Sequence, residues 1–92
     1  MVQVIENQLE RRFEATVDDA TAGTLDFVFD GDVMVTTSTV VARDYEGRGV
    51  GSQLAQAALK SARDRQLKVR PQCSFIASYI VKHPEFADLL ES

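Results

Sequence analysis

Cysteine and histidine occur once each in this 92-residue chain, as Cys73 and His83. A single thiol rules out a disulfide within the chain and suits a reducing compartment, so a cytoplasmic location is expected. One cysteine and one histidine also fall short of the ligand set of structural zinc, and no metal site is expected. Long apolar runs are missing too. Nothing approaches the roughly 20 consecutive apolar residues that cross a bilayer, so no membrane partner is expected. The opening MVQVIENQLERRF mixes acids with apolar residues and is not expected to act as a secretory signal. Repeats, linkers and low-complexity segments are absent, which points to one domain over residues 1–92.

What is present is a chain with 45% apolar residues, enough for a modest core, and a net charge of −4 that argues against a nucleic-acid partner. The charge is unevenly spread. Residues 43–70 hold Arg43, Arg48, Lys60, Arg63, Arg65, Lys68 and Arg70 against Asp44, Glu46 and Asp64, while acids dominate elsewhere. A basic segment inside an acidic chain is either a solvated helix face or a place for a small anion.

Hydrophobic periodicity divides the chain in two. RRFEATV alternates Phe13, Ala15 and Val17 with polar residues, and Leu25, Phe27 and Phe29 share one face before Asp30-Gly31, a hairpin signal. The β-branched run VMVTTSTVV follows. Three antiparallel strands are therefore predicted, near 11–17, 24–30 and 32–41. From Ser52 the period changes. Leu54, Ala55, Ala58, Leu59 and Ala62 form one stripe of a helix over 52–65, with Ser52 as its expected cap and Arg63 and Arg65 at its far end. A short strand ending at Pro71, a helix SFIASYIVKH and final helical turns opened by Pro84 complete the order β-β-β-α-β-α. A meander running into a βαβ unit gives an α+β domain with a mixed sheet, the last two strands parallel.

Between the third strand and the first helix lies YEGRGVGSQL, with glycines at 47, 49 and 51. Free amides at a helix start and the positive end of its dipole make a ready anion site, and glycine lets a phosphate approach the main chain. Arg48 adds a formal charge there. The Walker loop is excluded because no Gly-Lys-Ser/Thr follows, and the dinucleotide fingerprint by its different glycine spacing.

The stretch VARDYEGRGVGSQLAQAAL resembles the acetyl-CoA-binding motif of the GNAT N-acetyltransferase superfamily. LKVRPQCSFIASYIVKHPEFADLL is similar to the ending of the small single-domain GNAT-like proteins. Together these cover roughly residues 36–90. The resemblance implies a GNAT-like fold and acetyl-CoA as cofactor. It implies that Gly47, Arg48, Gly49, Val50, Gly51 and Ser52 face the coenzyme pyrophosphate and that Val41 lies along pantetheine, its amide polarising the thioester carbonyl. Several positions depart from the pattern: Glu46 stands at the usual Arg/Gln, Arg43 at a frequent Pro, Ser74 at a frequent Pro, and Ser38 and Val40 at a frequent His and acid.

Acyl transfer also needs a proton for the departing thiolate. Tyr79 is the residue the resemblance offers; a core aromatic with a bonded hydroxyl is its other reading. Cys73 ends the last strand, where it is either an acetyl-accepting nucleophile or a packing residue. His83, before Pro84, is read as a capping or packing residue at the break between helices. Two functions stay open: an N-acetyltransferase taking a CoA thioester and an amine of a small molecule or protein, or a non-catalytic acyl-CoA-binding or interaction module with the same fold.

Overall fold

The computed structural model describes residues 1–91. A five-stranded sheet runs in the order β1 (Val2–Asn7), β2 (Arg12–Val17), β3 (Ala20–Asp30), β4 (Val33–Val41), β5 (Lys68–Pro71). The first four are antiparallel neighbours, and β5 lies parallel to β4. Helices α1 (Val50–Asp64) and α2 (Ser74–Lys82) follow β4 and β5, and 3-10 turns occupy Arg43–Tyr45 and Pro84–Leu89. The α+β class, the meander and the βαβ unit are as expected from the sequence.

The meander has one strand more than the sequence suggests. Val2 and Val4 are half-buried beneath the core, but the next inward position is Glu6 and the outward-facing Ile5 is exposed. Alternation is thus blurred, as suits an edge strand. Glu6 is tolerated inward because Arg65 and Ser61 both donate to its carboxylate, at 2.6 and 3.4 Å. The β2–β3 hairpin closes through Asp18 and Asp19, both at positive φ, the backbone that a two-residue turn of matching twist demands.

α1 lays Val50, Leu54, Ala58, Leu59 and Ala62 on the sheet, against Phe13, Ala15, Leu25, Phe27 and Met34. Alanine on both sides lets helix and sheet approach closely. Ile76, Tyr79 and Ile80 of α2, with Phe86 and Leu89 beyond it, join the same core. One register feature positions the site. β4 pairs with β5 only from Val33 to Thr36, and the amides of Gln72 and Cys73 both donate to the Thr36 carbonyl at 3.0 Å. Past that point β4 and β5 part, and β4 continues to Val41 paired with β3 alone.

Candidate functional site

The corner between β4 and α1 is shaped by glycine for two different reasons. Gly47 and Gly49 both sit at φ 79°, a left-handed backbone that side chains adopt only at a cost, while a Cβ on either would meet nothing within 4 Å. Gly51 has no such φ. A Cβ there would lie 2.7 Å from the Phe75 ring, so its bareness serves the contact between α1 and α2. The helix starts at Val50 with Gly49 as its cap, rather than at the expected Ser52. Ser52 instead sits exposed in the first turn. No side chain caps this end, the first turn has no acid, and the first helical donor is the Gln53 amide, bonded to the Gly49 carbonyl at 3.0 Å. The amides of Val50, Gly51 and Ser52 precede that bond and carry the helix's free hydrogen-bonding capacity.

These amides open onto a cleft of about 320 Å³. Val41, Gly47, Gly49, Val50, Gly51 and Ser52 line it together; Arg48, the seventh residue the sequence places at the coenzyme, does not, its guanidinium lying 5.6 Å over the Tyr45 ring. Exposed Glu46 is part of the rim. At the cleft's inner end the Ala42 amide donates to the Ala22 carbonyl on β3 at 2.8 Å. Amides alternate sides along a strand, so the Val41 N–H turns away from β3, toward the gap left by β5.

A neighbouring cavity of about 150 Å³ shares Ser52 and Phe75 with the cleft and is otherwise bounded by Ser78, Tyr79, Lys82 and His83. Tyr79 is buried, and burial foremost, with Glu85 second, raises its phenol above the ordinary value. His83 stacks on it with ring centres 3.9 Å apart, and His83 Nδ1 lies 2.9 Å from the Tyr79 carbonyl, which places the histidine as a packing and capping group. Cys73 borders neither cavity. It caps α2, and its S–H donates to Thr39 Oγ1 at 3.3 Å, bridging the gap between the parted strands. Burial pushes this thiol up, but the Thr39 hydroxyl and the amides of Ile76 and Phe75 outweigh it and hold the thiol below its usual value. Cys73 and Tyr79 are thus not brought into one cavity.

Two lining residues escape the sequence reading. Tyr45 sits directly before the glycine run, and Phe75 reads simply as part of an apolar helix face; only the Gly51–Phe75 contact reveals its place at the cleft. No cluster of metal-ligating side chains occurs among the described residues.

An antiparallel meander, a Gly-rich turn opening a helix, and a parallel strand that parts from its neighbour define an acetyltransferase type of fold. A GCN5-like protein from Staphylococcus aureus, solved in solution by NMR, superposes with a TM-score of 0.77 at 24% identity, covering 98% of this chain and 88% of that one. The ribosomal-protein-S18-alanine N-acetyltransferase of Escherichia coli gives 0.63 at 20% identity, covering 67% of this chain and 42% of that one. Ard1 from Thermoplasma volcanium gives 0.62 at 23%, with coverages of 68% and 44%. The chain thus spans less than half the length of these two larger proteins. No curated protein matches it. The family model for GCN5-related N-acetyltransferases matches residues 12–89, and the chain belongs to that family.

Proposed function

We propose that this chain is an acetyl-CoA-dependent N-acetyltransferase that holds its coenzyme at the start of α1 and acts on an amine of a small molecule or protein in the cytoplasm. The observation that carries the reading is the cleft at that helix start. Its amides are uncapped, no acid stands in the first turn, and the Arg48 guanidinium lies over the ring of Tyr45, a lining residue. A diphosphate fits such a place, because the N–H groups of Val50, Gly51 and Ser52 and the helix dipole both favour negative charge. Gly47 and Gly49 leave the outer side open, and Phe75 closes the inner one.

When bound, acetyl-CoA supplies an activated thioester carbonyl. The Val41 amide is the chain's donor facing the gap where that carbonyl would be polarised. Tyr79 carries its proton at neutral pH, as an ordinary phenol does, and burial only raises its pKa further, so the hydroxyl is present as a proton source for the departing thiolate. Cys73, with its lowered pKa, is the candidate nucleophile.

Calorimetric titration of CoA, followed by release of free CoA from acetyl-CoA with a panel of amines, tests the reading. Saturable binding with amine-dependent turnover is expected. Binding without turnover on any amine would favour a non-catalytic acyl-CoA module, and absence of binding overturns the coenzyme site itself. Retention of turnover and of any covalent acetyl label by Cys73→Ala would remove Cys73 from the chemistry.

A further inference from the structure

We propose that the chain carries a second small-molecule site, at the opposite end of α1 from the glycine turn, and that it takes an aromatic carboxylate. Fifteen helical residues separate the two ends, about 22 Å at 1.5 Å per residue. A cavity of about 510 Å³ lies there, larger than the cleft at the glycine turn and within the range of roughly 300–1,000 Å³ usual for ligand clefts.

Its walls divide into an apolar and a polar side. Phe27 and Phe29 meet edge to face with ring centres 5.3 Å apart, and Leu67 extends this surface. Phe29 remains 38% exposed, so a planar apolar body has a surface to cover. On the polar side Glu6 is already engaged by Arg65 and Ser61, so Arg65 is neutralised. Arg11 is in a different state. Among the described residues it forms no ion pair, and its guanidinium rests 5.1 Å over the Phe29 ring. Its backbone stands at φ 55°, left-handed for a non-glycine residue, and is tied there by the Phe27 amide donating to the Arg11 carbonyl at 3.0 Å. Gln66, between the lining residues Arg65 and Leu67, is left-handed as well, at φ 58°. Gln66 is the left-handed residue that ends α1, with the Leu67 amide closing onto the Ala62 carbonyl at 2.8 Å, and Arg11 closes the turn between β1 and β2, so the fold holds both lips of the cavity in place.

The ligand class follows from the charges. One unpaired guanidinium beside an aromatic floor suits one carboxylate attached to a ring. With Glu6 and Arg65 cancelling each other, the free Arg11 guanidinium matches a single negative charge, and the negative end of the α1 dipole on this side disfavours a phosphate dianion more than a carboxylate. The proposal does not depend on the acetyltransferase reading.

The test is a titration of isotope-labelled protein followed by amide chemical shifts, with phenylacetate as probe and with acetate and phenylethanol as its two halves. Saturable shifts at Arg11, Phe29 and Leu67 with phenylacetate, and affinity at least roughly tenfold weaker for either half, are expected. Arg11→Gln should weaken phenylacetate by roughly tenfold and leave CoA binding unchanged. Glu6→Gln, which frees Arg65, should tighten it. Spectra of both variants establish that they fold. No saturable shift in this region, equal binding of acetate and phenylacetate, or unchanged affinity in Arg11→Gln would each overturn the proposal.

Discussion

Replacing Gly49 and Gly51 in turn by alanine separates the two physical reasons for glycine at the start of α1. At Gly49 a Cβ meets no atom within 4 Å, so the cost is conformational alone. A left-handed backbone costs an L-residue about 1–2 kcal/mol, and the stiffer unfolded chain returns about 0.4–1. Gly49→Ala should therefore lose about 1 kcal/mol, a fall of about 4–8 °C in Tm for a domain of this size. Gly49→Asn should recover much of that, since asparagine tolerates the left-handed region. At Gly51 the backbone is ordinary, and the added methyl lies 2.7 Å from the Phe75 ring. Overpacking costs about 1–3 kcal/mol, while helix propensity returns about 1. Gly51→Ala should thus be mildly destabilised and alter the cleft wall by displacing the ring. Urea denaturation measures both stabilities, and CoA calorimetry reads the cleft. A Gly49→Ala protein as stable as the parent, or a Gly49→Asn protein less stable than Gly49→Ala, would refute the reasoning.

Tyr79→Phe should keep the fold, because the ring stack on His83 survives, yet lower turnover at saturating acetyl-CoA; unchanged turnover would remove the phenol as proton donor. Cys73 should react with iodoacetamide near neutral pH faster than an unperturbed thiol, and Thr39→Val should slow that reaction by removing a thiolate donor. Because the folded pKa of this thiol is depressed, its stabilising contribution is present above the unfolded thiol pKa and is lost as pH falls through the folded value. The end of the chain should loosen in acid. The Arg63 guanidinium bonded to Asp88, and the Arg70 guanidinium bonded to Glu91, hold both carboxyls below their usual range, so their contribution is complete above ordinary carboxylate pKa values and disappears as pH falls through the lowered ones. The protection of the Glu91 amide, bonded to the Val69 carbonyl, against hydrogen exchange, taken relative to the intrinsic rate at each pH, should fall over that window and also with added salt.

Patterned segments carried most of the fold in the sequence. The α1 stripe, the Asp30-Gly31 turn and the Pro71 stop each had a local cause, and each lies where expected. β1 did not, because an acid, Glu6, stands on its inward face and is compensated there by Arg65, fifty-nine residues away. At the glycine turn, composition gave the location but not the reason. Nothing local distinguishes Gly51 from Gly49, since the difference is a ring brought in from α2. Phe75 was hidden for the same reason, and the distance between Cys73 and the Tyr79 cavity depends on how β5 ends.

Phe75 is accordingly the residue on which the two halves of the candidate site meet. Its ring fills the space over Gly51 and is shared, with Ser52, by the cleft at the glycine turn and the cavity holding Tyr79. At 41% exposure, its removal should cost less than the roughly 3–5 kcal/mol of a fully buried phenylalanine. Phe75→Ala should therefore fold while joining the two spaces. Water admitted to the Tyr79 hydroxyl weakens the desolvation that raises its pKa, so the phenol should titrate closer to its ordinary value. Ultraviolet titration in a Tyr45→Phe background, where Tyr79 is the remaining tyrosine, reads this directly. CoA affinity should fall in the same variant, because the ring closes the inner side of the cleft. A folded Phe75→Ala protein with an unmoved Tyr79 titration would show that the burial of Tyr79 comes from His83 and Phe86 alone, and that Phe75 does not join the two halves.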